Sequence, residues 1–598
     1  RARRRVGQSP QSLAGPLLRM VVGRRRAALA NRDLLRDAAE AGFTSAVSKT
    51  LGKTYSLFLS NKGYKDYEGG EPELRPHAFA EPDAALLARF LEGHWPLAGG
   101  RVSISEGSPW DVEPPNRLWA EELHGFGWLR HFSLRDDEEC LRHVRWLVTT
   151  WVRAYHTYQA SVWEPHLIGR RLTAWLTFWP LIAGEADEEW RRTVLAVMAK
   201  QTGHLGRTLQ TAPAGFARLE AAAGLTHAAL CLMDDKDLAG KGLDLLDTEL
   251  KKQILPDGGH VSRSPEALLE TLILTLAVLD VAEAAGYRVP VGIQNAADRM
   301  EAMRDFFRHG DGALALFNGS SEGPETGGDP RLAHNPGQEG LIAFARHSGY
   351  HRIQSDRTLL LVDAGGPPPP KYGAEAHAGC LSFELSFGAT RLVSNCGVIR
   401  FAGEAWRAAT RQTAAHSTVT INDRSSGETK NRGLPGMLLG GEPLDGPVAV
   451  KSERHESDEG VLLELSHDGY GERFNLRHER RIFLNSAGND LRGEDRISLL
   501  DPEVAAEEES DVAVRFHLHP ELRARQEDEG DQVVLFLPRG DTWRFRALGG
   551  VLTLEDSIYL GRGAQVTPCR QIVLRASAEV SAGEPITFKW KFFRPTSR

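Results

Sequence analysis

The residues whose types and spacing best fit chemistry are two histidines and one asparagine, each at the end of a strand-like segment. His377 lies in Tyr372-Gly373-Ala374-Glu375-Ala376-His377-Ala378-Gly379-Cys380, a loop that runs directly into an alternating stretch. There Leu381, Phe383, Leu385 and Phe387 share one face and Ser382, Glu384 and Ser386 the other, the period-two pattern of a half-buried strand. Gly388-Ala389 offers a turn, and Thr390 to Asn395 reads as the returning strand. A two-residue turn would set Asn395 opposite Ser382, at the same open end of the hairpin as His377. A second loop-to-strand join follows at Ala414-Ala415-His416-Ser417-Thr418-Val419, so His377, Asn395 and His416 are expected to gather at one rim of a sheet. Imidazoles there can move protons or ligate a metal.

The elements that must position them divide into two kinds. Between roughly 82 and 287 the apolar spacing is helical: Leu141, Val144, Val148 and Trp151 form one stripe, and positions 168, 172, 175, 176 and 179 form the next. Ala267 to Ala285 is apolar nearly all round, as a helix buried between neighbours would be. Ser264 as N-cap, Pro265 at the first helical position and Glu266 in the first turn mark its start. Gly, Pro, Ser and Asn accumulate from Gly310 to Pro336, which reads as a linker. Beyond Gly340 the period becomes two, with short strands at Thr358 to Val362, Gly460 to Leu465 and Val512 to Leu518. Helices first and strands second predicts segregated domains.

A length of 598 residues predicts roughly two to four domains. A net charge of −8 argues against a dedicated nucleic-acid binder, and an acidic ligand would need a local basic cleft. No apolar run approaches the length of a membrane span. The five cysteines are scattered and never in a Cys-x-x-Cys arrangement, so buried free thiols are expected. The first segment is strongly basic, with eight arginines by Arg26 and no acid before Asp33, and reads as a solvated helix or tail. It has no apolar signal core, which favours the cytoplasm, with periplasm or cell envelope as the alternative. Oligomeric state is left open.

Three segments of this chain resemble the heparinase II/III family of polysaccharide lyases: Glu375-Ala376-His377-Ala378-Gly379-Cys380-Leu381-Ser382-Phe383, Leu392-Val393-Ser394-Asn395-Cys396-Gly397, and Arg411-Gln412-Thr413-Ala414-Ala415-His416-Ser417-Thr418-Val419. The resemblance implies an incomplete α/α toroid over 81–335 followed by an antiparallel two-sheet β-sandwich over 336–598, after a basic N-terminal segment, 1–80. It implies β-elimination on uronate-containing glycans, with an acidic polysaccharide or oligosaccharide as partner. That chemistry needs a group to neutralise the uronate carboxylate, a base for the C5 proton and an acid for the departing oxygen.

Several family letters differ here. Ala267 stands where the toroid tyrosine belongs, and Thr226-His227 is the remnant of an Asn-His pair. Glu375 and Asn395 replace a histidine and an aspartate of the β domain. The catalytic candidates are therefore His377, His416, Tyr372, Glu375 and His227, with Tyr372 or Glu375 replacing the missing proton carrier. Substrate-binding candidates are Arg171, Trp175, Arg263 and Arg411, since a guanidinium clamps a carboxylate and an indole face suits a sugar ring. No cofactor is required. A structural zinc held by His377, Asn395 and His416 is the metal the resemblance implies, completed by Glu375, Glu384 or Asp363. Two other readings stay open: a glycan-binding protein that keeps the fold without the chemistry, and a toroid glycoside hydrolase, which needs two carboxylates across a cleft such as Asp257 with Glu266 or Asp363.

Overall fold

The computed structural model describes residues 67, 69–323, 329–333, 341–399, 403–429, 444–504, 509–527, 530–563 and 566–595. Most of the expected basic segment, 1–80, lies outside them. Helices come first: α1 (Ala84–Leu91), α2 (Arg117–Gly125), α3 (Glu138–Tyr155), α4 (Pro165–Thr177), α5 (Glu188–Thr208), α6 (Phe216–Ala228), α7 (Lys236–Gln253), α8 (Pro265–Ala284) and α9 (Val291–Phe307).

Local signals account for most of their limits. In α3, Cys140, Val144, Leu147, Val148 and Trp151 are buried, and Asp137 caps the start by accepting from the Cys140 N–H. In α8 Ser264 caps through the Ala267 N–H, with Pro265 first in the helix. The stripe expected to run to 179 breaks after Thr177, and Trp179 begins a separate short helix. Pro180 is the cause: it has no N–H for the carbonyl four residues back, and its ring would strike it. α4 and α6 touch backbone to backbone at Gly169 and Gly224, where a Cβ on either would overlap the other helix.

The strands form two large antiparallel sheets. One runs Val551–Tyr559, Thr567–Ala578, Ser510–Leu518, Thr390–Ser394, Phe383–Phe387, Thr358–Asp363, Tyr350–Ser355, Phe344–Ala345, with Val419–Ile421 also pairing with Ser510–Leu518. The other runs Val450–Ser457, Gly460–His467, Leu476–Asn485, Asp490–Leu499, Ile586–Phe593, Thr542–Leu548, Gln532–Phe536, Arg523–Gln526. Their facing sides share one core, with Phe383 of the first stacked on Trp590 of the second at 5.5 Å. This is the expected helical region followed by a β-sandwich.

Two expectations about the site hairpin change. Phe383–Phe387 is buried on both faces, because the 308–323 connector covers its polar side. The returning strand carries a bulge: Ser386 opposes Arg391, but Leu385 opposes Val393, so the simple two-residue-turn register ends there. The stretch read as the start of a linker is itself packed, with Leu314, Ala315, Leu316 and Phe317 buried. All five cysteines are free, four of them buried. No helix among the described residues is long and apolar enough to cross a membrane.

Candidate functional site

His377 and His416 meet. His416 Nδ1 lies 2.9 Å from the Gln412 carbonyl, which can only accept, so Nδ1 carries the proton. His416 Nε2 is then an acceptor, and His377 Nδ1 donates to it across 3.1 Å. His377 Nε2 is left as an unprotonated lone pair with no hydrogen-bond partner among the described residues. Burial pushes His416 down to about 4. Burial, then His416, Arg411 and Arg407, hold His377 well below the usual imidazole range. The pair is neutral at pH 7. Two contacts place it: the His377 N–H donates to Asn318 Oδ1 at 3.1 Å, and Gly379 leaves room for the His416 ring, which a Cβ there would meet at 2.7 Å.

Asn395 does not present its carbonyl to this pair as a ligand. Its Oδ1 accepts from the Ser417 N–H at 3.0 Å, while its own N–H donates to Glu384 Oε1 at 2.9 Å. Glu384, fully buried, also takes His309 Nε2 at 2.9 Å and the Leu316 N–H at 3.1 Å. Asp363 is paired with Arg263 at 2.5 Å, and Glu375 with Arg407 at 2.6 Å on the surface. Two imidazole nitrogens therefore remain, and among the described residues no third His, Cys, Asp or Glu ligand atom lies within reach of both. That donor set does not fit the four-ligand shell of a structural zinc.

The arginines offered as substrate clamps are tied up inside the protein. Arg263, at a left-handed φ of 62°, donates from Nε to Ser348 O at 2.8 Å and from Nη1 to Gly366 O at 2.8 Å, besides its Asp363 pair. Its carbonyl takes the Tyr350 hydroxyl at 2.8 Å. It is a joint between helices and sheet. Arg411 donates to Ala376 O at 2.9 Å and so props the loop that carries His377. Tyr372 closes a single 3-10 turn, its ring edge-on to His260 at 6.5 Å.

The helical candidates also turn inward. Arg171 has no exposed surface, and its guanidinium donates to Gln201 Oε1 at 2.7 Å, His124 O at 2.9 Å and Val162 O at 3.3 Å. Trp175 packs edge-on against Phe126 and Trp151 at 5.2 and 5.3 Å. His227 joins α6 to α4 through Thr173 Oγ1 at 3.0 Å, and burial lowers it to about 4. A periodic stripe says that a face is covered, but not whether a helix or a ligand covers it.

A cleft of about 1320 Å³ opens between the helical and β regions; of the residues nominated from sequence only Glu266, offered there as a hydrolase carboxylate, lines it. Arg89, Arg101, Trp128 and Arg130 form its helical wall, Arg308, Asp311 and Glu322 its connector side, and Trp406 and Arg562 its β side. Most acids here are committed: Glu122 to Arg170, Asp311 to Arg391, Glu322 to Arg562, Asp329 to Arg331 and Glu266 to the Ser321 N–H. Arg89 and Arg101 are exposed with no partner among the described residues, and of the lining acids only Glu81 is similarly placed. Arg130 Nε and Arg308 Nε and Nη1 are buried donors without an acceptor among the described residues. Arg308 is lowered by burial to about 10 and stays charged at pH 7. Trp406 is 38% exposed. Sequence reading missed this wall because its arginines come from separate segments and form no local pattern.

The family model described as heparinase II/III-like, C-terminal, matches residues 338–591. The chain is 32% identical over 526 residues to FtsZ-localized protein C of Caulobacter vibrioides (strain NA1000 / CB15N), covering 86% of this chain and 89% of that protein. A crystal structure of heparinase III superposes with a TM-score of 0.65 at 14% identity, covering 94% of this chain and 91% of that one. A mutant of the heparan sulfate lyase HepC from Pedobacter heparinus gives 0.60 at 16% identity, covering 93% and 90%. At those identities the two structures speak for the fold alone.

Proposed function

Since the chain belongs to the heparinase II/III-like family, we propose that it holds an acidic, uronate-type polysaccharide in the cleft between its helical and β regions. The observation that carries this reading is a cleft wall bearing Arg89, Arg101, Arg130 and Arg308, none of which hydrogen-bonds a carboxylate among the described residues. A carboxylate or sulfate oxygen is the counter-charge that such a wall of guanidinium groups would hold best. Trp406 supplies an apolar face for a sugar ring. Binding without cleavage is favoured, because Ala267 takes the place of the family's tyrosine and the neutral histidine pair lies outside the cleft lining.

β-Elimination is the second reading, favoured by the unprotonated His377 Nε2, which has the right form for a base. One experiment separates the two. The purified chain is titrated by calorimetry with uronate oligosaccharides while ultraviolet absorbance is followed for an unsaturated product. Binding that Arg308→Ala weakens, with flat absorbance, supports the first reading. Rising absorbance that His377→Ala abolishes replaces it with the second, and neither signal removes both.

The relative named for localising to FtsZ spans most of this chain, which supports placing this glycan-holding activity with FtsZ. Co-sedimentation with FtsZ filaments tests that placement. A chain that stays in the supernatant removes it.

A further inference from the structure

The segment Trp163-Glu164-Pro165-His166 has no part in the cleft, yet it carries a cluster of its own. Glu121 from α2, Glu164 just before α4 and His166 in its first turn each place one ligand atom within 4.8 Å of the others. His166 is 5% exposed, and its Nδ1 has no hydrogen-bond partner among the described residues. That nitrogen stands 3.7 Å from Glu164 Oε2, beyond hydrogen-bonding distance. Protonating the ring is disfavoured, since burial, then Arg170 and Arg117, push it down to about 3. The neutral ring can hold its proton on Nε2, which leaves a buried Nδ1 lone pair facing the Glu164 carboxylate with no donor between them. Arg117 balances the carboxylates from outside, with Nε 2.6 Å from Glu121 Oε1 and Nη2 3.4 Å from Glu164 Oε2. Its side chain is 71% exposed.

We propose that Glu121, Glu164 and His166 form a site for a zinc-type divalent cation, with Arg117 as a counter-ion that swings into solvent when the metal enters. One imidazole and two carboxylates are a recognised zinc donor set, and water completes the tetrahedron. With bonds of about 2.0–2.1 Å, ligand atoms lie roughly 3.4 Å apart, so the cluster needs a contraction of at most about 1.4 Å. The ion would staple α2 to α4. The other described cluster of this kind, Glu453, His455 and Glu464, has no such buried orphan: His455 is 54% exposed, and Glu464 is bound to Arg481.

The test titrates zinc chloride into the chelator-stripped full chain by calorimetry, with cobalt(II) visible absorption to report coordination and melting to report stabilisation. The expected result is one site that survives His455→Ala and raises Tm. His166→Ala and Glu164→Gln should each weaken it by at least about tenfold. Arg117→Ala should tighten it, because the competing cation is gone, which a merely structural arginine would not do. Circular dichroism confirms that each variant is folded. No stoichiometric binding in the His455→Ala background, or affinity unmoved by both His166→Ala and Arg117→Ala, overturns the proposal. So does loss confined to His377→Ala or His416→Ala, which would place the ion in the β domain.

Discussion

Arg171 and Arg308 are both buried arginines, but their hydrogen bonds point to opposite roles. Arg171 gives its N–H groups to three neutral acceptors inside the helical region, and burial lowers it to about 9. Arg171→Lys keeps the buried charge but loses the planar fork, so it should cost about 3 kcal/mol in urea unfolding while glycan affinity stays unchanged. Arg308 lines the cleft, and Asp305, bound in turn by Arg304, stands 3.9 Å from it. Arg308→Ala and Arg130→Ala should each weaken uronate binding roughly tenfold, the cost of losing one charge-assisted hydrogen bond. Affinity that follows Arg171 and ignores Arg308 would move the binding site into the helical core.

At the scale of elements, two contacts hold the architecture, and each can be broken singly. Gly224 lies against the Gly169 backbone where α6 crosses α4. Gly224→Ala must push the helices apart, with an expected loss of about 1–3 kcal/mol. Arg263 and Asp363 form the buried ion pair that closes the helical region onto the sheet. Arg263→Ala leaves Asp363 buried and unpaired, which should cost about 3–5 kcal/mol and split urea unfolding into separate helical and β transitions. A single unshifted transition would show that the joint is held elsewhere. The limits of α8 were legible because its cap is local, written in Ser264 and Pro265. The bulge opposite the Leu385–Ser386 step was not, because nothing in the hairpin's own alternation marks it.

Across the whole molecule, buried histidines set the acid limit. Burial lowers His124 and His517 to about 3 and His131, His204, His227, His260, His351 and His416 to about 4. The unfolded chain takes up these protons near 6.5, whereas the folded chain does so only near 3–4. Below 6.5 the unfolded state therefore binds more protons. Stability is complete above that pH and falls as pH drops toward 4, by up to about 1.4 kcal/mol per pH unit for each histidine. Tm should be level above pH 7 and fall steeply below pH 6. A level Tm down to pH 5 would mean that these rings are charged in place.

By itself the sequence determined the order of helices and strands, the family and the meeting of His377 with His416, because periodicity, caps and short motifs are local and survive without neighbours. Only the tertiary structure decided what each polar side chain faces. Arg171, Trp175 and His227 lie on stripes that read equally well as a cleft wall or a helix contact, and packing made them core. Asn395 and Glu384 were drawn to each other and to His309 and Ser417. Arg89, Arg101, Arg130, Arg308 and Trp406 became one cleft across more than three hundred residues of chain. The physical reason is that a partner's identity is a long-range fact: hydrogen bonds and charges act over a few ångströms of space, whatever their separation in sequence.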